Sequence, residues 1–352
     1  MGAIVLNCRP ATPSSSRQSQ AQGPAQPAAG PADSGLDPDL PILGDRALVV
    51  LRDGVRRVVV APELGGSLAA FYDATPHGPV HWLRPAGRDA LDAADPLRMA
   101  SFPLFPYCNR IRDGRFRFDG RDWHVPMGEG ALRHALHGHG WRLPWQVAAR
   151  GEASVELRLD YEPAADAGTA ANPGWPFRYA ATQRIELRAD GALSLEIAAR
   201  NLDSRSMPFG FGHHPYYPRG AHTRLRTRVA AMWRSDADLL PVSLDAHPAV
   251  DALAQGVAVD ALALDNNFTG WEREAVIDWP DERRRLTMRA EAPLDCFVLY
   301  SPPGEPVFCA EPVSNTTDWI NLDAPAAARG GCVLAPGETV RATIVWLPET
   351  NL

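Results

Sequence analysis

The chain has 352 residues, 45% of them hydrophobic, and a formal net charge of −7. That length supplies a large core, in one big β domain or two ordinary ones. The weakly acidic balance argues against nucleic acid or an anionic membrane as partner, and no apolar run approaches the roughly 18–20 residues of a membrane-spanning helix.

The N-terminus has no basic segment followed by a long apolar one, and Ile4-Val5-Leu6 is too short for a signal peptide. The five cysteines, Cys8, Cys108, Cys296, Cys309 and Cys332, are odd in number, scattered, and without zinc-ligand spacing. They read as reduced thiols of a cytoplasmic protein. Residues 11–39 are rich in Ala, Pro, Gly, Ser and Gln, with almost no large apolar side chains. Such a stretch buries too little surface to offset its ordering entropy. We therefore expect a disordered tail over 1–43 and a single domain over 44–352.

From there the chain reads as strands. Residues 47–51 and 55–60 flank Arg52-Asp53-Gly54, a hairpin turn signal. A second hairpin is expected from 115–118 and 123–125 around Asp119-Gly120. The clearest is the third. Ile185, Leu187 and Ala189 alternate with charged residues, Asp190-Gly191 turns the chain, and Leu193, Leu195 and Ile197 alternate with Ser194 and Glu196. Period 2 on both arms predicts one buried face. Further strands are expected at 223–229, 286–290, 297–300, 307–310 and 340–347. Only 88–97 and 251–264 suggest short helices. Many strands without βαβ alternation imply a large antiparallel sandwich, an all-β fold.

Four segments concentrate chemistry. Phe209-Gly210-Phe211-Gly212-His213-His214-Pro215-Tyr216-Tyr217-Pro218 holds two histidines among glycines and aromatics. Histidine suits proton transfer near neutral pH, and the residue before proline is pushed to extended geometry, which holds His214 on a strand. Successive strand side chains face opposite ways, so His213 and His214 cannot share one pocket. In residues 102–111, two prolines interrupt pairing and Asn109-Arg110 then present donors. Arg110 has the N–H fork that holds vicinal hydroxyls or a carboxylate. His134, His137 and His139 invite a metal reading, but no acidic or cysteine partner stands at ligand spacing, so neither metal nor cofactor is expected. A ligand-binding histidine beside Gly138 and an ordinary core histidine both remain open. Glu311 follows the apolar Val307-Phe308 and precedes Pro312. A glutamate at the end of an apolar strand is an unusual placement. Asp265, before Asn266-Asn267-Phe268, is a weaker fifth candidate.

In order, these segments resemble the aldose 1-epimerase (galactose mutarotase-like) family. They are Pro62-Glu63-Leu64-Gly65-Gly66, Asn109-Arg110-Ile111, Leu136-His137-Gly138 with Trp141, Gly174-Trp175-Pro176-Phe177, Gly212-His213-His214-Pro215-Tyr216-Tyr217, Asp265 before Phe268, and Glu311-Pro312. The likeness covers about residues 45–350 and is greatest to a bacterial branch of looser substrate assignment. It implies the galactose mutarotase-like β-supersandwich and interconversion of the α and β anomers of a free aldohexose. It also implies Glu311 as base and His214 as acid, with Arg110, His137, Asp265 and Asn109 as sugar ligands. The partner would be a small-molecule sugar, the protein a monomer or homodimer. Ring opening takes one proton off an oxygen and puts one on another, which an acid and a base can do together. A hexose-6-phosphate 1-epimerase is the enzymatic alternative, with Arg112, Arg115 and Arg117 as its cations. A non-catalytic sugar-binding protein on the same fold is a second. A glycosidase would need two well-placed carboxylates.

Overall fold

The computed structural model describes residues 42–43, 46–128 and 133–351. The expected tail lies outside the described residues, except that Ile42 and Leu43 pair with Ala47 and Arg46.

Two large antiparallel sheets dominate. One has nine strands, led by Gln146–Arg150, Ser154–Tyr161, Tyr179–Leu187, Leu193–Asn201 and Thr339–Thr350. The other has eleven. Its middle runs Asp265–Thr269, Cys296–Tyr300, Val307–Val313, Gly212–Pro218, Ser101–Leu104, Ser67–Thr75. Alternation decides which side chains enter the core between the sheets. Ile185, Leu195, Ile197, Ile344 and Trp346 fill it from the nine-stranded side, and Tyr217, Phe308 and Ala310 from the other. Trp346 donates its indole N–H to the Tyr217 hydroxyl at 3.0 Å. His213 reaches across as well: its Nε2 is 3.2 Å from Gln183 Oε1, and its Nδ1 meets Ser101 Oγ.

The even-numbered neighbours His214 and Tyr216, with Cys309 and Glu311, therefore lie on the outer face of the eleven-stranded sheet. A smaller apolar cluster covers that face, built from Phe102, Leu104, Cys108, Trp141, Tyr216 and Val298 with others.

The three expected hairpins form. Val49–Asp53 pairs with Arg56–Ala61, Arg115–Phe118 with Arg121–His124, and Tyr179–Leu187 with Leu193–Asn201. The expected helices are shorter or shifted. One covers Arg88–Asp92, followed by a 3-10 turn at Pro96–Arg98. The other covers Pro248–Gln255, because Pro248 opens it and Gly256 (φ 81°) closes it. The expected strand end at residue 310 is too early. Val307–Val313 continues through Pro312, since its ladder to Cys296–Tyr300 runs unbroken to Val313. No helix among the described residues is long and apolar enough to cross a membrane. Cys108, Cys296, Cys309 and Cys332 are free.

Candidate active site

Two prolines shape the centre of the site. Tyr216, Tyr217 and Pro218 pair with Cys309, Phe308 and Val307, and pairing resumes at Gly212 against Val313. Between these points the ladder is interrupted, where Pro215 and Pro312 have no N–H to give. His214 and Glu311 sit in that gap, on adjacent strands. His214 Nε2 is 3.2 Å from Glu311 Oε1, with side-chain exposures of 5% and 2%. Gly212 allows the strands to approach: a Cβ there would lie 2.6 Å from the Pro312 carbonyl oxygen.

Burial pushes the Glu311 carboxyl well above the usual carboxylate range. The neighbouring Asp265 charge adds to this and Arg110 opposes it. Burial also pulls His214 down to about 3, with a further small push from Arg84. Both shifts favour neutral forms, because an unsolvated charge is costly. The pair therefore keeps one proton. Glu311-COOH with neutral imidazole and Glu311-COO⁻ with imidazolium are the same proton count, exchanged across the 3.2 Å contact. Phe102 stacks on His214 at 4.6 Å between ring centroids, and Tyr216 stacks on it at 4.8 Å. The Arg84 guanidinium covers the Tyr216 ring at 3.8 Å.

Asn109 and His137 hold each other. The Asn109 N–H donates to His137 Nδ1 at 3.0 Å, and the His137 N–H donates to the Asn109 carbonyl at 2.8 Å. Nδ1 is thus the acceptor, and the neutral ring carries its proton on Nε2. Burial, then the charges of His214, Arg110 and Arg142, keep His137 well below its ordinary value. Both residues are left-handed, at φ 60° and 57°, a conformation that costs roughly 1–2 kcal/mol per non-glycine residue. The two reciprocal bonds offset that strain. Gly138 (φ 65°) must be glycine, because a Cβ would meet the Phe105 carbonyl oxygen at 2.1 Å. The His134 and His139 rings turn elsewhere. His134 Nδ1 accepts from Asp113 N–H, while His139 Nε2 meets the Tyr179 hydroxyl at 3.0 Å.

Arg110 is anchored by its neighbour: Nη1 donates to Asn109 Oδ1 at 3.0 Å, and Nη2 lies 3.8 Å from Asp265 Oδ2. Asp265 opens the strand Asp265–Thr269. Burial raises its carboxyl and Arg110 partly offsets that. Side chains after Glu311 stitch these segments together. Asn315 accepts from Cys108 N–H at 3.1 Å and donates to the Cys108 carbonyl at 3.1 Å. Ser314 Oγ accepts from Phe211 N–H, Asp318 Oδ1 from Arg112 N–H, and Thr317 Oγ1 from Asn267 Nδ2.

All six candidate residues thus occupy the outer face or the loops above it. Sequence reasoning did not single out Phe102, Tyr216 or Cys309, which line the same floor. The i, i+2 spacing of Cys309 and Glu311 was the available signal, since it puts both on one strand face.

The profile of the family described as "Aldose 1-epimerase" matches residues 47–346. The chain belongs to the aldose 1-epimerase family. Its similarity to YphB of Escherichia coli K12 is 29% identity over 292 residues, 78% of this chain and 90% of YphB. The fold also matches solved structures of the aldose 1-epimerase type. A galactose mutarotase-like protein from Clostridium acetobutylicum superposes with a TM-score of 0.77 at 20% identity, covering 88% of this chain and 97% of that one. The GalM/aldose epimerase homologue from C. elegans gives 0.71 at 15%, covering 87% and 100%. The galactose mutarotase-like β architecture is the one expected from the sequence.

Proposed function

We propose that the protein is a cofactor-independent isomerase that interconverts the α and β anomers of a free aldohexose. The observation that carries this reading is the buried 3.2 Å contact between His214 and Glu311 on the outer sheet face. In the proposed cycle, the Glu311 carboxylate takes the proton of the anomeric hydroxyl while the His214 imidazolium protonates the ring oxygen. The C1–ring-oxygen bond breaks, the aldehyde rotates about C1–C2, and closure on the other face reverses both transfers. After opening, Glu311 holds the proton and His214 is neutral, which is the distribution that burial favours. Each well-placed transfer contributes about 10²–10⁴-fold. Arg110 donates to sugar hydroxyls from its fork, His137 donates through Nε2–H, and Asp265 and Asn109 hold Arg110 and accept from the sugar. A polarimetric or NMR anomer-exchange panel over free hexoses tests the reading. Sugar binding without any acceleration of exchange would favour a non-catalytic carbohydrate-binding protein.

A second reading has one observation behind it. Arg112, Arg115 and Arg117 line a cleft of about 450 Å³ together with Trp123, His124 and Asn321. Asp318 links the cleft to Arg110: it accepts from the Arg112 N–H and donates its own N–H to the Arg110 carbonyl. Guanidinium groups suit a phosphate, and a hexose 6-phosphate would place its anion there. A kcat/KM on glucose 6-phosphate well above that on glucose, lost in Arg115→Ala, would select this reading.

A further inference from the structure

We propose that His214, Cys309 and Glu311 form a site for a thiophilic divalent cation such as Zn²⁺, which inhibits the enzyme by occupying its acid–base pair. One ligand atom from each residue, a ring nitrogen, a thiol sulfur and a carboxylate oxygen, lies within 4.8 Å of the others, and all three side chains are buried. Tetrahedral zinc, with Zn–S about 2.3 Å and Zn–N about 2.0–2.1 Å, needs ligand–ligand spacings of roughly 3.3–3.8 Å. The His214–Glu311 edge is already 3.2 Å, and the Cys309 sulfur lies within 4.8 Å of both partners. Cys309 and Glu311 are two residues apart on one strand face, and Cys309 pairs across to Tyr216, two residues from His214. The three groups therefore converge from two adjacent strands rather than from loops.

A second observation points to a ligand. Glu311 Oε2 is buried without a hydrogen-bond partner among the described residues. A buried carboxylate oxygen left so is costly, and a cation satisfies it. The charges also close: thiolate, carboxylate and neutral imidazole total −2 against the +2 of the ion. Binding releases the Cys309 thiol proton and the one proton shared by Glu311 and His214 to solvent, so affinity rises with pH. The ion binds through atoms that the sugar reaction uses and leaves neither base nor acid free. Nitrogen and sulfur donors favour Zn²⁺, Co²⁺ or Cd²⁺ over Mg²⁺ or Ca²⁺.

The inhibition rests on the acid–base roles proposed above; the binding does not. The test uses the full chain, stripped with EDTA and titrated with Co²⁺. Binding at this site gives the near-ultraviolet thiolate-to-cobalt absorption at one ion per chain, lost in Cys309→Ala and in the better volume match Cys309→Ser. In parallel, Zn²⁺ slows anomer exchange, EDTA restores it, and the variants need at least tenfold more Zn²⁺, each judged against its own metal-free rate. No thiolate band in the wild type overturns the proposal. So does a band that persists in both variants, which would put the ion on another thiol such as the partly exposed Cys332, or zinc inhibition unchanged by both. Cobalt binding as described, in a protein that accelerates no anomer exchange, upholds the site and sinks the isomerase reading instead.

Discussion

His214 Nε2 faces Glu311 Oε1 across 3.2 Å in a gap between two strands that both carry a proline at that level. In the proposed cycle the pair works as a single-proton device. Replacing Glu311 with glutamine keeps the shape and a hydrogen bond to His214 but removes the base. Glu311→Gln should lower the anomer-exchange rate about 10²–10⁴-fold, with sugar binding by calorimetry changed little. Polarimetry on the purified variant checks it, and a rate near wild type would remove Glu311 from the mechanism.

Buried histidines set the acid stability of this fold. His139, His213 and His214 are pulled down to about 3, His81 to about 4, and His137 well below 6.5, chiefly by burial. Their folded pKa values lie below the unfolded value, so below about pH 6.5 the unfolded chain binds protons that the folded one refuses. The stability they allow is fully present above pH 6.5 and is lost as pH falls from there towards 3–4. Each contributes up to about 1.4 kcal/mol per pH unit. Glu311, Asp265 and Asp318 are raised, so above about pH 4 the folded chain holds protons that the unfolded one releases, which offsets part of the loss there. The urea midpoint should therefore drop between pH 7 and pH 5. His139→Phe, which removes one of these groups without touching His214 or Glu311, should make the drop shallower.

Asn109 offers a separation of binding from backbone strain. Its side chain accepts from both the Arg110 N–H and Nη1, at 2.9 and 3.0 Å, and its own φ is 60°. Asn109→Ala and Asn109→Gly both release Arg110. Hydrogen bonds to charged groups are worth about 1.5–3 kcal/mol, so KM should rise about tenfold or more in both. Only alanine also suffers the left-handed backbone, costing roughly 1 kcal/mol, so its melting temperature should fall below that of the glycine variant. Steady-state kinetics and thermal melts on the two proteins decide it.

Local pattern carried the hairpins, because Asp-Gly turns and period-2 alternation act within a dozen residues. It did not carry the strand order. Within the sheet, Asp265–Thr269 reaches the His214 strand through Cys296–Tyr300 and Val307–Val313, and such pairings rest on distant contacts rather than neighbouring residues. Glu311 read as a strand-end residue because the apolar run was expected to stop at residue 310. The strand continues because its ladder to Cys296–Tyr300 holds on that side. Glu311 therefore lies inside a strand and deeper than its sequence suggested. The extended setting of His214 was legible in the pre-proline rule, and its separation from His213 in strand alternation. Cys309 was legible only through its i, i+2 spacing from Glu311, which shares a face with it once the strand is known to run through both.

Gly212 is the hinge of the whole arrangement in a steric sense. A Cβ at this position would come within 2.6 Å of the Pro312 carbonyl oxygen and 2.9 Å of Val313 Cα, both backbone atoms that cannot swing aside. Gly212→Ala must push Gly212–Pro218 away from Val307–Val313. The resulting overpacking should cost about 1–3 kcal/mol of stability. It should also lengthen the His214–Glu311 contact two residues further along. Proton transfer is sensitive to that spacing, while Arg110 and Asp265 lie on other elements, so kcat should fall more than KM rises. Gly54→Ala is the matched control. Its φ of 54° carries a left-handed penalty, but a Cβ there meets nothing within 4 Å. It should lose stability to a similar extent and keep its kcat. Equal losses of kcat in the two variants would mean that the rate follows global stability rather than the spacing of the pair.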